Sequence, residues 1–300
     1  MPCYHPQIAY RSRQGRNPET GSWPIVFNVK QGYHDQEVVI PCGKCIGCKL
    51  EHSRKWAVRC VLEASLYQEN SFITLTYNNQ NIPENNTLIK KDFQKFIKKL
   101  QRNKTSEGKK VRYYGCGEYG EKGQRPHYHA AIFGYNFPDK TIFKSQDNIN
   151  LYQSKELTSL WGKGHCLVGD VTFESAAYIA RYCTKKITGE MSNKHYGKRI
   201  PEFALMSRKP GLAREWLDKY KSDVINTDKI ILKKTLQISL PRYYNDIIKK
   251  ENPVQYQKLL TKRKKYVKQN EKDNTWERLI VKEELKQRQF NQLKRSLELC

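Results

Sequence analysis

Two histidines one residue apart, His127 and His129, lie in the run RPHYHAAIFG, whose composition is that of a strand. Side chains alternate faces along a strand, so both imidazoles point the same way and can chelate one divalent cation. Tyr128 then belongs to the other face with Ala130 and Ile132, and enters the core. Upstream, VRYYGCGEYG (111–120) also reads as a strand, and EKGQRP as a short turn. Strands joined so closely pair antiparallel, which brings Glu118 beside the histidines. Two imidazoles and one carboxylate with open positions suit two chemistries. They can hold non-haem iron for oxygenase reactions, or Mg²⁺ or Mn²⁺ against a phosphate. The ligand set alone does not choose between them.

A second constellation sits in SAAYIARYCTKKITG. Tyr178 and Tyr182 are spaced i, i+4, on one face of a helix, with Lys185 following on that face and Lys186 beside it. Ala176, Ile179, Ala180, Cys183 and Ile187 form the roughly opposite, apolar face, so both tyrosines are expected to project away from the core. A phenol is a weak nucleophile, with an ordinary pKa of about 10. It can attack a phosphodiester when a metal polarises the phosphate and a base or cation helps the phenol ionise. The products are a 5′-phosphotyrosine and a free 3′-OH. The bond energy is retained, so a second tyrosine one turn away can cleave or rejoin in alternation. A lysine on that face can steady the phosphate or the phenolate.

A third constellation is Cys42, Cys45 and Cys48 in the spacing C-x₂-C-x₂-C, with Cys3 upstream. Four thiolates complete a structural Zn²⁺ site, with Gly43 and Gly47 permitting tight turns around the ion. His5 or His52 can replace Cys3 in such a set, and an iron–sulfur cluster is compatible with the spacing. Cys60, Cys116, Cys166, Cys183 and Cys300 read as buried or incidental thiols. Nine cysteines, several too close to pair easily, fit a reducing compartment better than a disulfide scaffold.

The charge separates the chemistries. Lys+Arg total 55 and Asp+Glu 30, a formal net charge of +25 over 300 residues. That excess fits a polyanionic partner whose phosphates neutralise it, and favours the phosphate reading of the histidine site. No segment approaches the roughly 18 apolar residues of a membrane helix. The start, MPCYHPQIAY, has no apolar h-region, so no secretory signal is expected. No G-x-x-x-x-G-K-[ST] occurs, so no P-loop motor is expected.

The elements that must position these residues follow from periodicity. Ser53 is expected to cap a first helix to about Tyr67, with Trp56, Cys60, Ala64 and Tyr67 on one stripe. SFITLTY (71–77) reads as a strand and NNQNIPENN as a loop. In LIKKDFQKFIKKLQR, Phe93, Phe96, Ile97 and Leu100 share a helical face opposite lysines. A short helix over SKELTSLWG precedes a strand near His165–Phe173. Ser175 is expected to cap the tyrosine helix, which runs to about Ile187 before Gly189. The tail reads as basic helices broken near Pro253 and Asp273–Asn274. Its KKTLQISLPRYY and TKRKKYVKQ runs interleave lysine with tyrosine, as suits phosphate contact with base stacking or equally a solvated helix. Three stretches result: a Cys-rich segment and helix (1–66), a core of alternating strands and helices (67–220) and a basic helical region (221–300). The fold class is α+β, with an antiparallel β-sheet flanked by helices.

The set FITLTY, GEYG, RPHYHAAIFG and YIARYCTKK resembles the HUH endonucleases. More closely, with PCGKCIGC and PEFALMSRKPGL, it resembles the replication initiators of microviruses, especially the gokushovirus group. The resemblance spans about residues 1–220. It implies that His127 and His129 are metal ligands, Glu118 the third ligand, and Tyr178 and Tyr182 alternating nucleophiles. It implies Mg²⁺ or Mn²⁺ as cofactor and a single-stranded or locally melted origin DNA as substrate. The host helicase and replication machinery would be partners, in the cytoplasm of an infected bacterium. Two other readings stay open: a non-catalytic zinc-containing DNA-binding protein, and a single-tyrosine HUH transposase or relaxase.

Overall fold

The computed structural model describes residues 3–19, 21–120, 123–146, 149–181, 186–187, 189–233 and 236–292. In chain order the strands are β1 (Gln7–Ser12), β2 (Ile25–Val26), β3 (Gly32–Ile40), β4 (Asn70–Tyr77), β5 (Arg112–Tyr119), β6 (Pro126–Phe133), β7 (Thr141–Gln146), β8 (Ile149–Gln153), β9 (Gly164–Gly169), β10 (Phe203–Met206), β11 (Lys229–Lys233) and β12 (Leu236–Ser239). The helices are α1 (Ile46–Ala64), α2 (Lys90–Ser106), α3 (Lys155–Trp161), α4 (Phe173–Ala180), α5 (Met191–Tyr196), α6 (Arg214–Thr227), α7 (Arg242–Glu251), α8 (Pro253–Gln269) and α9 (Trp276–Asn291). Two compact units share the chain. One joins Met1–Glu51 to Val267–Lys294, and the other contains His52–Tyr266.

The larger unit is built on a seven-stranded sheet in the order β10-β5-β6-β4-β9-β8-β7, antiparallel throughout. Its central strands are buried on both faces, and β6 is buried at every position. Alternation sorts the side chains. Ile73, Leu75, Tyr77, Tyr128, Ala130 and Ile132 face one way, into a cluster closed by Phe93, Phe96, Ile97 and Leu100 of α2 and by α3. The four α2 residues are those its apolar stripe had marked. Tyr128 enters that core as expected, and its hydroxyl meets the Tyr77 hydroxyl at 2.8 Å and accepts from the Ile89 N–H. Phe72, Tyr114, Cys116, Ala131 and Phe133 face the other way and pack against α1 and α4.

Two helix starts differ from expectation. Ser53 lies inside α1, and its hydroxyl donates to the Ala177 carbonyl at 3.0 Å. The expected stripe still holds, with Cys60 buried and Trp56, Ala64 and Tyr67 packed beside it. Thr172, not Ser175, caps α4. Thr172 Oγ1 accepts from the Ser175 N–H, and Ser175 Oγ accepts from the Thr172 N–H, a reciprocal capping box. Ser175 is thus the third helical residue. Residues 186–187, expected in the same helix, carry no helical assignment.

Other expectations hold with small shifts. Ser154 caps α3, and its side chain accepts from the Leu157 N–H. The tail helices break at Asn252–Pro253 and around 271–274. The β11–β12 hairpin interrupts the tail and packs Ile230 and Ile238 with α6 and α7. In the smaller unit, β2, β1 and β3 form a three-stranded antiparallel sheet. The turn-rich composition of that region had not suggested it.

Candidate functional site

The site begins with register. Glu118 of β5 stands directly opposite His127 of β6, and Cys116 opposite His129. Directly paired residues of an antiparallel ladder project to the same face, so the carboxylate and both imidazoles converge. Their ligand atoms lie within 4.8 Å of one another. Glu118 and His129 are each 2% exposed and His127 is 7% exposed. Burying ionisable groups is costly unless they are paired or coordinate a metal.

Neighbours orient the imidazoles. Thr74 of β4, paired with His129 across the sheet, places Oγ1 at 3.0 Å from His129 Nδ1. A proton on Nδ1 directed at Thr74 leaves the Nε2 lone pair facing the carboxylate, as in metal-binding histidines. His129 Nε2 lies 3.3 Å from Glu118 Oε1, within ion-pair range, but without hydrogen-bond alignment. Gly120 borders His127 so closely that a Cβ there would fall 2.8 Å from His127 Cε1. The last glycine of GEYG therefore makes room for the imidazole. Donor type, convergence, burial and the orienting contact all fit a small divalent cation.

Helix α4 lies over this patch. Tyr178 donates a 2.9 Å hydrogen bond to Glu118 Oε1. Its ring is edge-on to His129 at 5.0 Å between centroids and to Phe72 at 6.4 Å. Tyr178 is buried, not projecting away from the core as helical periodicity had suggested. The reason lies beneath the helix: the sheet face there carries a carboxylate and imidazoles as well as apolar groups. A phenol can meet both. Arg181, which ends α4, holds its guanidinium 5.6 Å from the Tyr178 ring centroid. Lys185, and not Arg181, was the cation expected beside the tyrosines from the sequence. Tyr182 and Lys185 lie outside the described residues.

The four cysteines come together in the smaller unit. The sulfurs of Cys3, Cys42, Cys45 and Cys48 lie within 4.8 Å of one another, with Cys42 and Cys48 at 4.0 Å. A tetrahedral zinc site with Zn–S of about 2.3 Å places its sulfurs roughly 3.8 Å apart. Backbone N–H groups point at the thiols: Cys42 N–H to Cys3 Sγ at 3.2 Å, Cys45 N–H to Cys42 Sγ at 3.3 Å, and Cys48 N–H to Cys45 Sγ at 3.5 Å. Burial raises the Cys42 pKa, but hydrogen bonds from the Cys45 and Lys44 amides outweigh it and bring the thiol to about 7. Burial dominates at Cys48 and raises its pKa above the ordinary thiol range. His5 instead pairs with Glu283 of α9 at 2.5 Å and stacks edge-on against Trp276. Leu279 of α9 completes the small core around Cys3, Tyr4 and Cys45. Nothing in the tail had signalled that its last helix covers the cysteines. Cys60, Cys116 and Cys166 are buried, while Cys183 and Cys300 lie outside the described residues.

No helix among the described residues is long and apolar enough to cross a membrane. A family model described as replication-associated protein ORF2/G2P matches residues 70–187, the stretch holding β4, β5, β6 and α4. The replication-associated protein VP4 of Bdellovibrio phage phiMH2K is 34% identical over 219 residues, covering 71% of this chain and 68% of the relative. The replication-associated protein ORF2 of Spiroplasma virus 4 is 35% identical over 225 residues, with 71% and 68% covered. The replication-associated protein ORF4 of Chlamydia phage 1 is 29% identical over 232 residues, with 73% and 56% covered. No solved structure matches. Similarity of that extent across most of both chains places this protein in the family of phage replication-associated proteins, as a microvirus replication initiator.

Proposed function

We propose that the protein starts rolling-circle replication by nicking one strand of origin DNA and remaining joined to its 5′ phosphate through tyrosine. The observation that carries this reading is the 2.9 Å hydrogen bond from Tyr178 to Glu118, beside two buried imidazoles. It sets a phenol hydroxyl directly against a carboxylate grouped with two imidazoles. Glu118, His127 and His129 would hold Mg²⁺ or Mn²⁺. When bound, the ion supplies Lewis-acid polarisation of the scissile phosphate.

The chain's own residues do the rest. Tyr178 Oη attacks the phosphorus, the new O–P bond forms, and the bond to the 3′ oxygen breaks. The phenolic proton leaves toward Glu118 Oε1, which already accepts its hydrogen bond, and the departing 3′ oxygen takes a proton from water. The Arg181 guanidinium, close to the phenol ring, offsets developing negative charge. Tyr182, four residues on in the sequence, would be the second nucleophile and Lys185 a phosphate contact. Together they permit the displaced unit-length strand to be closed into a circle. Thr74 is a positioning residue that fixes the His129 tautomer. A Zn²⁺ ion on Cys3, Cys42, Cys45 and Cys48 would tie the N-terminal segment to the start of α1, beside Leu279 of α9. The protein would act in the infected bacterial cell, with strand separation supplied by the host helicase and replication machinery.

The test uses purified protein, end-labelled single-stranded oligonucleotides tiled over the phage origin, and added Mn²⁺ or Mg²⁺. The expected result on a denaturing gel is a covalent protein–DNA band that requires the added metal. His127→Ala removes the band while basic DNA binding persists. A folded, metal-loaded sample that neither nicks nor forms an adduct on any oligonucleotide would instead support a non-catalytic DNA-binding role.

A further inference from the structure

The row that carries Glu118 and His127 continues across the sheet. His127 is paired with Thr76 of β4, and Thr76 with His165 of β9. Direct partners share a face, so Glu118, His127, Thr76 and His165 lie in one line on the face that carries the metal-type ligands. With neighbouring strands about 4.8 Å apart, His165 stands roughly 10 Å from His127 along that line. Helix α4 covers β5 and β6, while His165 is exposed.

At this end of the row is a cleft of about 420 Å³ lined by Thr76, Tyr77, Asn78, Asn79, Gln80, Arg125 and His165. Its volume suits a small organic group, and every residue that lines it carries a polar side-chain group. Arg125 is locked in place, donating from Nη1 to the Tyr77 carbonyl at 2.6 Å and from Nη2 to Asn79 Oδ1 at 2.5 Å. Its remaining N–H groups can meet a phosphate. Asn79 and Gln80 are exposed amides, suited to hydrogen bonds with a base edge. The rim is held firmly. The Asn78 N–H donates to the Lys163 carbonyl at 3.0 Å, and the Trp161 indole N–H to the Thr76 carbonyl at 3.2 Å. Gly164, at φ +150°, lies so close to β4 that a Cβ would fall 2.3 Å from Asn78 N and Thr76 O. The close approach of β9 to the end of β4 therefore requires glycine.

We propose that this cleft is a nucleotide-binding subsite for the strand whose scissile phosphate sits at the Glu118–His127–His129 cluster. In it, Arg125 and His165 meet the backbone, and Asn79 and Gln80 read a flanking base. The inference rests on the nuclease reading for the path of the strand, but its own prediction is about binding.

The test measures binding of a labelled single-stranded origin oligonucleotide to the full chain by fluorescence anisotropy, without added Mg²⁺ or Mn²⁺. His165→Ala and Gln80→Ala change exposed side chains and leave the fold intact. Each is expected to weaken binding about tenfold. In a scan of single-base substitutions around the cleavage position, Gln80→Ala is expected to flatten the preference at one flanking position, while His165→Ala weakens all sequences alike. Arg125→Gln keeps a donor for the Tyr77 carbonyl but removes the charge. It is expected to lower the slope of log affinity against log salt by roughly 0.7, the single-strand value for one phosphate. Unchanged affinity, base preference and salt slope in all three variants would overturn the subsite. If those losses appear while the wild type forms no covalent adduct, the cleft stands and the nuclease reading falls. If the adduct forms and the variants bind like wild type, the reverse holds.

Discussion

The hydroxyl of Tyr178 donates to Glu118 Oε1 at 2.9 Å, while His129 Nε2 lies 3.3 Å from that same oxygen. One carboxylate oxygen thus touches both the tyrosine helix and the histidine strand. Its charge is the feature to test. Glu118→Gln preserves shape and an acceptor for the phenol but removes the anionic ligand. Adduct formation at fixed Mn²⁺ is expected to fall about 100-fold or more, since even outer-shell changes cost 10- to 100-fold. Binding of single-stranded DNA is expected to persist. Gel quantification of the adduct beside an anisotropy titration reads both, and undiminished adduct would remove Glu118 from the site.

Thr74 contacts His129 on the side away from the cluster. Thr74→Val keeps the shape and loses the hydroxyl that meets His129 Nδ1. The Mn²⁺ concentration for half-maximal adduct is expected to rise about tenfold, with the rate at saturating metal recovering toward wild type. A metal titration checks this. A lower plateau with an unchanged midpoint would assign Thr74 another role.

The capping box of α4 holds the helix that delivers Tyr178. Thr172→Ala leaves the Ser175 N–H without its side-chain acceptor and is expected to cost about 1 kcal/mol of stability. Chemical denaturation measures that loss. Thr172→Ser retains the acceptor and is expected to restore most of it.

The cysteine cluster and α9 are expected to stabilise one another. Cys45→Ser should lower the zinc content measured by mass spectrometry of the digested protein, and lower the melting temperature. Leu279→Ala, which opens the small core beside the sulfurs, is expected to cost about 2–5 kcal/mol without altering a ligand. Unchanged metal content and melting in Cys45→Ser would rule out a structural metal at these residues.

Much of this architecture is legible in the residues. The alternation in HYHAAIFG places Tyr128 in the core and both histidines on the opposite face. The short EKGQRP turn dictates the hairpin that brings Glu118 to them. The four-residue stripe of α2 marks its buried face. The rest depends on tertiary partners. Tyr178 looked solvent-facing because a helix pattern reports its own apolar stripe and not the polar groups awaiting it on a sheet. Ser53 looked like a cap because serine suits an N-terminus, but its hydroxyl finds the Ala177 carbonyl from inside α1. The pairing of α9 with cysteines near the other end of the chain has no local signal. His165 was visible only as a lone histidine beside a strand, since its place in the row with His127 depends on the register of β4 with two neighbours.

The most direct test of the central claim is to digest the protein–DNA adduct and sequence its peptides by mass spectrometry. The expected result is a nucleotide joined through its 5′ phosphate to Tyr178 or Tyr182, with no adduct in the Tyr178→Phe/Tyr182→Phe double variant. An adduct mapped to any other residue, or one that survives in the double variant, would contradict the account.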